Sequence, residues 1–587
     1  MINKIDNLRH SCAHLMAAAV LKLYPSAKPT IGPVIENGFY YDFDNLTISD
    51  SDFTKIEKEM KNIVKSWSSF EKIEVTYEEA KKAFKDNPYK LELIEELTLN
   101  HQPLTLYKSG EFVDLCRGGH IENPKEIKYF KLISVAGAYW RGNEKNKMLT
   151  RIYGTTFSTK EELDNYINLQ EEAKKRDHRK LNKQLKIYMA SDDIGQGLIT
   201  LLPNGAIIAQ ELEKWAIETE NKWGYIRVYT PHIVPEKLFK ISGHVPYYVP
   251  SMFPPMRMSE KDKEDNEIYY LKPMNCAGHH MVYKSEPRSY RDLPLRIAEY
   301  GAVYRFEQSG ELLGMMRVRG PIHQNDAHIF CTEEQAEEEF QKVMELHEYY
   351  YNTLGISKKD YYLSFATRGP KNKDKYTGND EIWEKAEKIA LKYIEKTGIP
   401  YKTEVGGAAF YGPKIDFNIK TVTGKVFSAS TNQLDFFLPK AFGLTYIDKD
   451  GKEKTPVCIH RAPLGAHVRF IAFLMEHFAG NFPTWLTPIQ VKVLPISEKH
   501  LDYAKKVGDR LKEEGIRVEV DVRGERLQAK IRDAQLEKVA YMLIVGDREE
   551  KEGTVAERGR SGKDYGAQPL DKFIENIKKE IKEKTIN

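Results

Sequence analysis

The period of the hydrophobic positions changes along the chain, which predicts several domains of different kinds. Over residues 1–158, strand-like runs such as residues 39–43 alternate with helical stretches at 50–66 and 76–86. This mixture is typical of a compact α+β unit. Residues 159–186 are highly charged instead, with opposite charges at helical spacing, and they predict a solvated linker helix.

The longest block of alternating apolar strands covers residues 187–487 and predicts an antiparallel sheet with one buried face. From residue 488 onwards, strand-like runs alternate with helical ones, as in a small α/β domain. The predicted fold class is therefore a multidomain α+β protein. The strand-like runs in the central block include residues 271–274, 297–300, 327–330 and 457–460.

Length, charge and cysteine content exclude several classes of protein. A chain of 587 residues is too long for a single core, which agrees with three or four domains. The net charge of +3 comes from 89 basic and 86 acidic side chains, so no general polyanion-binding field exists and we expect no DNA partner. No apolar run reaches the roughly 20 residues of a membrane helix, and no secretory segment opens the chain. Five scattered cysteines indicate free thiols or metal ligands, so we expect a cytoplasmic protein without a membrane partner.

The most informative stretch is residues 296–330, where two strand-like runs flank a glycine-rich loop. Arg305 ends the first run and Arg317 lies near the start of the second. A planar guanidinium can bind two oxygens at once, so these cations could clamp a phosphate. The same spacing equally permits an exposed salt bridge between Arg305 and Glu307. Arg469 lies in the early turns of a predicted helix, where it adds to the positive end of the helix dipole.

Together these segments resemble the three motifs of the class II aminoacyl-tRNA synthetases. Residues 223–231 resemble the first motif, whose proline, here Pro231, lies at a dimer interface; residues 305–307 with their loop resemble the second, and residues 465–469 the third. The resemblance implies a catalytic core of antiparallel sheet and helices, ATP with Mg²⁺ as co-substrate, and a homodimer. It also implies that Arg305 holds the α-phosphate, Glu307 the adenine end and Arg469 the γ-phosphate. The implied ATP-binding residues are Arg305, Glu307, Arg317 and Arg469, and the implied catalytic residues are Arg305, Gln324, Asp326 and Arg469.

Three further segments resemble the zinc-ligand segments of the threonyl-tRNA synthetases, and they supply Cys276, His328 and His460. One cysteine and two histidines leave a fourth position open, as in a catalytic zinc site. The resemblance implies that threonine fills this position with its amine and hydroxyl, which isosteric valine cannot do. The implied threonine pocket is lined by Asp326, Tyr411 and Gln433.

Without the resemblance, these residues permit other assignments. A scattered cysteine and two distant histidines are more often core and surface residues, and Cys331 and Cys458 lie near the histidines in sequence and could compete as ligands. The chain also departs from the family pattern. One additional residue between Gly320 and Asp326 predicts a bulge or turn before Asp326, and Ser428 stands where the family has glutamine.

The first domain carries a second set of candidate residues. His10 and His14 share one face of a predicted helix, and Cys116 and His120 follow far downstream. These residue types fit a zinc site, but the pattern also resembles the editing domain shared by threonyl- and alanyl-tRNA synthetases, in which they line a hydrolytic pocket. Serine differs from threonine by one methyl group, worth only about 1–3 kcal/mol of discrimination, so a second, hydrolytic site is needed. The implied editing residues are His10, His14, Asp114, Cys116 and His120. A covalent role for Cys116 is not expected, because a nucleophilic thiolate needs a lowered pKa.

The C-terminal segment resembles an anticodon-binding domain. Arg558 and Arg560 supply cations beside a strand edge, suited to single-stranded bases, although a solvated charged loop would look the same. The implied organisation is an editing domain (1–158), a linker helix (159–186), a class II catalytic domain (187–487) and an anticodon-binding domain (488–587). Many bacterial members carry a ubiquitin-like domain ahead of the editing domain; because only nine residues precede His10, we expect that domain to be absent.

The resemblance extends over essentially the whole chain and implies an enzyme with one zinc ion per chain that loads threonine onto tRNA(Thr) and removes serine. Two alternatives remain. A synthetase-derived RNA-binding or regulatory protein would have no use for the phosphate clamp of Arg305 and Arg469. A sibling enzyme for proline or serine would not need the Cys276, His328 and His460 set.

Overall fold

A computed structural model describes residues 4–257, 267–370, 376–422 and 424–586. The chain divides into two compact units, Met1–Glu171 and Glu172–Asn587. Both units combine helices with strands, which confirms the predicted multidomain α+β class. Within the described ranges, no helix has both the length and the apolar character needed to cross a membrane.

The first unit is built on a five-stranded antiparallel sheet and a three-stranded sheet. The larger sheet has the order β1-β3-β8-β7, with β2 paired to β3, and the smaller one has the order β4-β5-β6. The strands are β1 (Lys28–Pro29), β2 (Val34–Ile35), β3 (Gly38–Asp44), β4 (Glu71–Glu74), β5 (Thr105–Ser109), β6 (Phe112–Leu115), β7 (Tyr129–Tyr139) and β8 (Met148–Phe157). The helices are α1 (Lys4–Leu23), α2 (Phe53–Ser66), α3 (Tyr77–Ala83) and α4 (Pro88–Leu99).

Helix α1 forms the centre of this unit. All ten residues from Ser11 to Val20 are buried, so this stretch of the helix packs into the core on every side. The helix contacts β3 and β8. The 3.6-residue period of the helix places His10 and His14 one turn apart on the same face.

The charged segment 159–186 forms two helices rather than the single linker helix predicted: α5 (Lys160–Arg176) and α6 (His178–Leu185). Asp177 separates them and acts as the N-cap of α6, where its side chain accepts the Arg179 backbone N–H at 2.8 Å. Leu181 and Leu185 are buried in the core of the second unit, so α6 is not solvated on all sides.

The central domain is organised around an eight-stranded sheet of order β11-β15-β16-β23-β20-β19-β17-β18, antiparallel except at its two edges. The strands are β9 (Tyr188–Ala190), β10 (Ile199–Leu201), β11 (Ile226–Arg227), β12 (Ile233–Pro235), β13 (Met256–Arg257), β14 (Ile268–Leu271), β15 (Leu295–Arg305), β16 (Gly320–Cys331), β17 (Tyr361–Thr367), β18 (Tyr401–Val405), β19 (Lys414–Lys420), β20 (Val426–Asp435), β21 (Tyr446–Ile447), β22 (Glu453–Lys454) and β23 (Val457–Ala462). The helices are α7 (Pro203–Lys222), α8 (Glu236–Ser242), α9 (His244–Tyr247), α10 (Cys276–Lys284), α11 (Ala336–Thr353), α12 (Asp380–Thr397), α13 (Leu438–Ala441) and α14 (His467–His477).

Strand alternation separates the core from the candidate site. On β16 and β23, Ile329 lies opposite Ile459 and both enter the core, where α11 packs on these strands. The neighbouring pair, His328 and His460, therefore faces the other side of the sheet. The turn into α14 requires glycine at position 465, because its φ is +55° and a Cβ would lie 2.4 Å from the Ala429 carbonyl oxygen.

Two local predictions in this domain are wrong. The β15–β16 ladder runs evenly from Leu295–Phe330 to Arg305–Gly320, without the bulge predicted before Asp326. Every residue from Gly320 to Asp326 is therefore paired within the hairpin. The strand predicted over residues 271–274 ends at Leu271, because Pro273 has no N–H to donate to a sheet.

The C-terminal domain has a five-stranded mixed sheet of order β25-β24-β26-β27-β28. The first three strands are parallel and the last two are added antiparallel. This arrangement confirms the small α/β domain that the alternating pattern predicted. Its elements are β24 (Val491–Pro495), α15 (Leu501–Glu513), β25 (Val518–Val520), α16 (Leu527–Leu536), β26 (Tyr541–Val545), α17 (Asp547–Glu552), β27 (Thr554–Gly559), β28 (Asp564–Pro569) and α18 (Leu570–Glu583).

Candidate active site and N-terminal histidine cluster

The side chains of Cys276, His328 and His460 lie close together on one face of the central sheet. Cys276 opens α10, while His328 and His460 are direct partners on β16 and β23. Their ligand atoms lie within 4.8 Å of one another, and all three residues are buried. The Cys276 Sγ lies 3.5 Å from His460 Nδ1. This set of one thiol and two imidazoles suits a tetrahedral zinc site with one position open.

The hydrogen bonds around the two histidines leave a lone pair on each for a metal. His279 Nε2 donates to Glu299 at 3.1 Å, so its Nδ1 accepts from His328 Nδ1 at 2.7 Å. His328 Nε2 is then unprotonated, buried and without a hydrogen-bond partner among the described residues. His460 Nε2 donates to Asp435 at 2.9 Å, which leaves its Nδ1 facing Cys276. Metal-bound histidines are typically held through their second nitrogen in this way.

The thiol and the imidazole of this site are uncharged when no metal is bound. Burial raises the pKa of the Cys276 thiol well above its usual range, and the carboxylates of Asp326 and Asp435 raise it further. Burial lowers the pKa of His328 well below its usual range, as do the neighbouring histidines. A neutral thiol and a neutral imidazole are therefore the resting forms, and a divalent cation would bind the thiolate and stabilise it.

The predicted threonine-pocket residues lie around the same point. Gln433 is the β20 partner of His460 and hydrogen-bonds the Tyr411 hydroxyl. The Tyr411 ring stacks on His460 with centroids 5.0 Å apart. Asp326 lies two positions before His328 on the same strand face, and its Oδ2 accepts from Asn275 at 2.9 Å. These side chains form a polar wall beside the candidate metal ligands.

The predicted ATP-binding arginines also converge. Arg469 lies on the first turn of α14, and its Nε is buried without a hydrogen-bond partner among the described residues. Burial lowers the pKa of Arg469, and the charges of Arg317 and Arg305 lower it further. Arg317 is paired with Glu311 at 3.1 Å. Burial also raises the pKa of Glu307, which lies among these groups. Three guanidinium groups this close together suit a polyanion, which would offset their mutual repulsion.

Gln324 lies on β16 and pairs with Ala466, directly before α14. It therefore lies between the candidate metal ligands and Arg469. Ser428, at the position expected to be glutamine, is exposed on β20 and donates to Asn418 Oδ1 at 2.6 Å.

The N-terminal unit brings its four predicted histidine and cysteine residues together. The Cys116 Sγ lies 3.5 Å from His10 Nε2 and 3.3 Å from His120 Nε2. The ring of His120 is 4.4 Å from those of both His10 and His14. All four ligand atoms lie within 4.8 Å of one another, so the geometry alone also permits a metal site. His10 lines a cleft of about 430 Å³.

The groups of this cluster are neutral. Burial lowers the pKa of His120 to about 2, and it lowers the pKa of His10 and of His14. Burial raises the pKa of Cys116 to about 11, so its thiol is not an activated nucleophile at neutral pH. Asp114 forms a buried ion pair with Lys90 and lies 3.7 Å from His14 Nε2.

The predicted anticodon arginines differ in their surroundings. Arg558 Nε donates to the Gly562 carbonyl at 3.1 Å within its own hairpin. Arg560 Nη2 lies 3.3 Å from Thr487 Oγ1, and burial lowers the pKa of Arg560. Both arginines are half-buried.

Sequence reasoning missed the residues that hold the two histidines. His279 lies three positions after Cys276 on α10, and this helical spacing was a visible signal. Glu299 and Asp435 carried no such signal, because the packing of α10 brings Glu299 to His279 and the sheet register brings Asp435 near His460.

Comparisons with known proteins agree with these domains. Residues 258–478 match the family described as the tRNA synthetase class II core domain (G, H, P, S and T). Residues 490–580 match the anticodon binding domain, and residues 104–153 match the threonyl and alanyl tRNA synthetase second additional domain. Among solved structures, the RNA binding domain of threonyl-tRNA synthetase from Cryptosporidium parvum Iowa II superposes with a TM-score of 0.64 at 36% identity, covering 69% of this chain and 98% of that one. A prolyl-tRNA synthetase from Cryptosporidium parvum gives a TM-score of 0.52 at 17% identity over 69% of this chain and 75% of that one, a likeness of fold alone.

Curated relatives are similar over nearly the whole chain. The threonine–tRNA ligase of Staphylococcus carnosus is 47% identical over 580 residues, which is 98% of this chain and 88% of the relative. The threonine–tRNA ligase of Thermotoga neapolitana is 48% identical over 582 residues, again 98% and 88%. The chain therefore belongs to the threonine–tRNA ligase family of class II aminoacyl-tRNA synthetases.

Proposed function

We propose that the protein activates L-threonine with ATP to threonyl-adenylate, transfers the threonyl group to the 3′ end of tRNA(Thr), and hydrolyses mischarged seryl-tRNA(Thr). The observation that carries this proposal is the convergence of Cys276, His328 and His460 in a chain of this family. Each histidine keeps one unprotonated ring nitrogen that can bind a metal. A regulatory RNA-binding protein would have no need of such a site.

Cys276, His328 and His460 would hold one zinc ion. When bound, zinc supplies a Lewis acid that accepts both the amine and the hydroxyl of the amino acid, which valine cannot offer. Asp326, Tyr411 and Gln433 orient the substrate beside it. Tyr411 is held by its contacts with His460 and Gln433, so the pocket wall and the metal ligand support each other.

In the activation step, a carboxylate oxygen of threonine forms a bond to the α-phosphorus of ATP, and the bond to the β-phosphate oxygen breaks to release pyrophosphate. Arg305 would stabilise the charge that develops on the α-phosphate, and Arg317 and Arg469 that on the leaving group, with Mg²⁺ bound to the nucleotide. Glu307 would hold the adenine end, and Gln324 would position the reacting carboxylate.

The N-terminal cluster would perform the editing reaction. His10 and His14 are neutral and can accept a proton from water, while Cys116 and His120 orient the 3′ end of the mischarged tRNA. The raised pKa of Cys116 supports hydrolysis by water rather than through a covalent thioester. Asp114 fixes the cluster through its contacts with His14 and Lys90.

We further propose the domain limits 1–158, 159–186, 187–487 and 488–587, a cytoplasmic homodimer with Pro231 at its interface, and anticodon contacts from Arg558 and Arg560. Sedimentation of the purified protein tests the dimer. A monomer that remains active would contradict the role given to Pro231.

The decisive experiment is amino-acid-dependent ATP–pyrophosphate exchange with threonine, serine and valine, with bound zinc measured in the same sample. We expect exchange with threonine, less with serine and none with valine, at one zinc per chain. The Cys276→Ser variant should lose tightly bound zinc. Unchanged zinc in that variant would overturn the ligand assignment, and no exchange in zinc-replete protein would favour the regulatory alternative.

Editing is tested separately. Replacing His10 and His14 together by alanine should leave threonine loading intact, while seryl-tRNA(Thr) accumulates. If no misloaded tRNA is detected with serine in excess, the hydrolytic role of the cluster is wrong.

A further inference from the structure

His178, the first residue of α6, lies outside every segment assigned to catalysis, but it contacts the loop that carries Arg317 and the helix that carries Arg469. Its Nδ1 donates to the Glu476 carboxylate at 2.8 Å, near the C-terminal end of α14. Its Nε2 accepts the backbone N–H of Met315 at 3.3 Å, in the loop between β15 and β16. The imidazole is buried, with only 2% of the residue exposed, so both hydrogen bonds are shielded from water.

The loop is fitted closely to this histidine. A Cβ on Gly314 would lie 2.4 Å from His178 Nε2, which is too close for any other side chain without a shift of the loop. Met315, next in the chain, is completely buried. The Leu313 backbone then closes a tight turn with Arg317, since its N–H donates to the Arg317 carbonyl at 3.1 Å. The Met315 hydrogen bond therefore fixes the backbone two residues before Arg317.

The other side of His178 is fixed on the helix that carries Arg469. The His178 backbone N–H also donates to Glu476, at 3.3 Å, and Arg176 caps α14 by donating to the His477 carbonyl at 3.0 Å. Such caps satisfy carbonyl groups that a helix leaves unpaired at its C-terminus. The junction of α5 and α6 is thus bonded to both segments whose arginines face ATP.

We propose that His178 is a positioning residue for ATP, which holds the Arg317 loop at a fixed place relative to the Arg469 helix. The inference rests on the proposed function. The imidazole touches no substrate; it acts through the Met315 N–H. Its tautomer is set by Glu476, because Nδ1 must donate to the carboxylate and Nε2 is then free to accept.

Two conservative variants separate the two hydrogen bonds. In His178→Gln, the longer amide side chain can reach the Nε2 position and accept from Met315. In His178→Asn, the shorter amide can occupy only the Nδ1 position and donate to Glu476. His178→Ala removes both bonds, and Lys180→Ala changes an exposed residue in the same turn and serves as the matched control.

ATP–pyrophosphate exchange gives KM for ATP and for threonine, and calorimetric titration with ATP alone gives its Kd. We expect His178→Ala and His178→Asn to raise the KM and the Kd for ATP about three- to tenfold, which is the effect of losing one hydrogen bond. The KM for threonine should stay unchanged within twofold. His178→Gln and Lys180→Ala should stay near the wild-type values. The midpoint of thermal unfolding, Tm, measures any general loss of stability. Such a loss would affect the Gln and Asn variants alike.

The inference is overturned if the Gln and Asn variants have equal ATP values, or if the Ala variant weakens threonine and ATP alike. The proposed function fails in a different way. Wild-type protein that binds ATP but supports no threonine-dependent exchange would remove the assigned reaction, while the comparison of ATP Kd among the variants would still decide the role of His178.

Discussion

Replacing His279 by alanine tests whether the hydrogen-bond chain behind His328 prepares this site for zinc. His279 accepts from His328 Nδ1 at 2.7 Å and donates to Glu299 at 3.1 Å, and both histidines are completely buried. Without His279, the His328 ring has no acceptor for its N–H and can rotate or change tautomer. Loss of such a supporting residue typically weakens metal binding about 10- to 100-fold, or roughly 1.4–2.8 kcal/mol.

The assay is competition for zinc against a chromophoric chelator of known affinity, which needs no enzymatic activity. His280→Ala is the matched control, because His280 is equally buried on the same helix but donates to the Cys276 backbone carbonyl at 2.7 Å and does not bond His328. The two variants leave similar cavities, so their difference isolates the bond to His328. Equal zinc affinities in His279→Ala and His280→Ala would refute the reasoning.

Three other predictions address the remaining groups. Replacing Cys458 by serine should leave one zinc per chain, because the clustered ligand atoms are those of Cys276 and two histidines; loss of zinc on elemental analysis would contradict this. Arg469→Gln should lower the exchange rate about 10²- to 10³-fold with zinc content unchanged, since it removes the buried charge that we propose binds the leaving phosphates, and steady-state exchange kinetics would show it. Acidification should destabilise the N-terminal unit. Burial lowers the pKa of His120 to about 2 from an ordinary value of 6.5, so between these two pH values only the unfolded chain protonates His120. Stability is then full above pH 6.5 and falls by up to about 1.4 kcal/mol per pH unit below it, with a smaller slope in His120→Asn, as urea unfolding at several pH values should show.

The sequence predicted the domain types and most of the strands, because alternation and helical periodicity are local properties. It could not predict the register between β16 and β23, which brings His328 opposite His460. A shift of one residue would turn either histidine to the opposite face of the sheet. The ligand set therefore came from resemblance, whereas the contacts of His279, Glu299 and Asp435 required the fold.

The errors have a common physical origin. An additional residue before Asp326 predicted a bulge, but the long antiparallel ladder pairs every residue from Gly320 to Phe330 in an even register. The charge of residues 159–186 predicted a solvated linker helix, although Leu181 and Leu185 lie on one face of α6 and are buried. In both cases a pairing distant in sequence outweighed the local pattern.

The difference between the two histidine clusters explains why one should hold zinc and the other should not. In the catalytic domain, Asp435 accepts directly from the ligand His460, and no cation pairs with that carboxylate among the contacts that hold the site. In the N-terminal unit, Asp114 is paired with the buried ammonium of Lys90, whose charge also lowers the pKa of His14. A second dication there would be repelled by Lys90, whose charge opposes that of Asp114.

Metal stoichiometry follows from this difference. We expect one zinc per chain at saturation, and we expect the Cys276→Ser variant to bind none while the Cys116→Ser variant still binds one. Lys90→Met should raise the stoichiometry towards two zinc ions per chain, because it removes the charge that repels a dication from the N-terminal cluster. Two zinc ions per wild-type chain, with one lost in Cys116→Ser, would show that the N-terminal cluster is a metal site and would overturn the water-only editing chemistry assigned to His10 and His14.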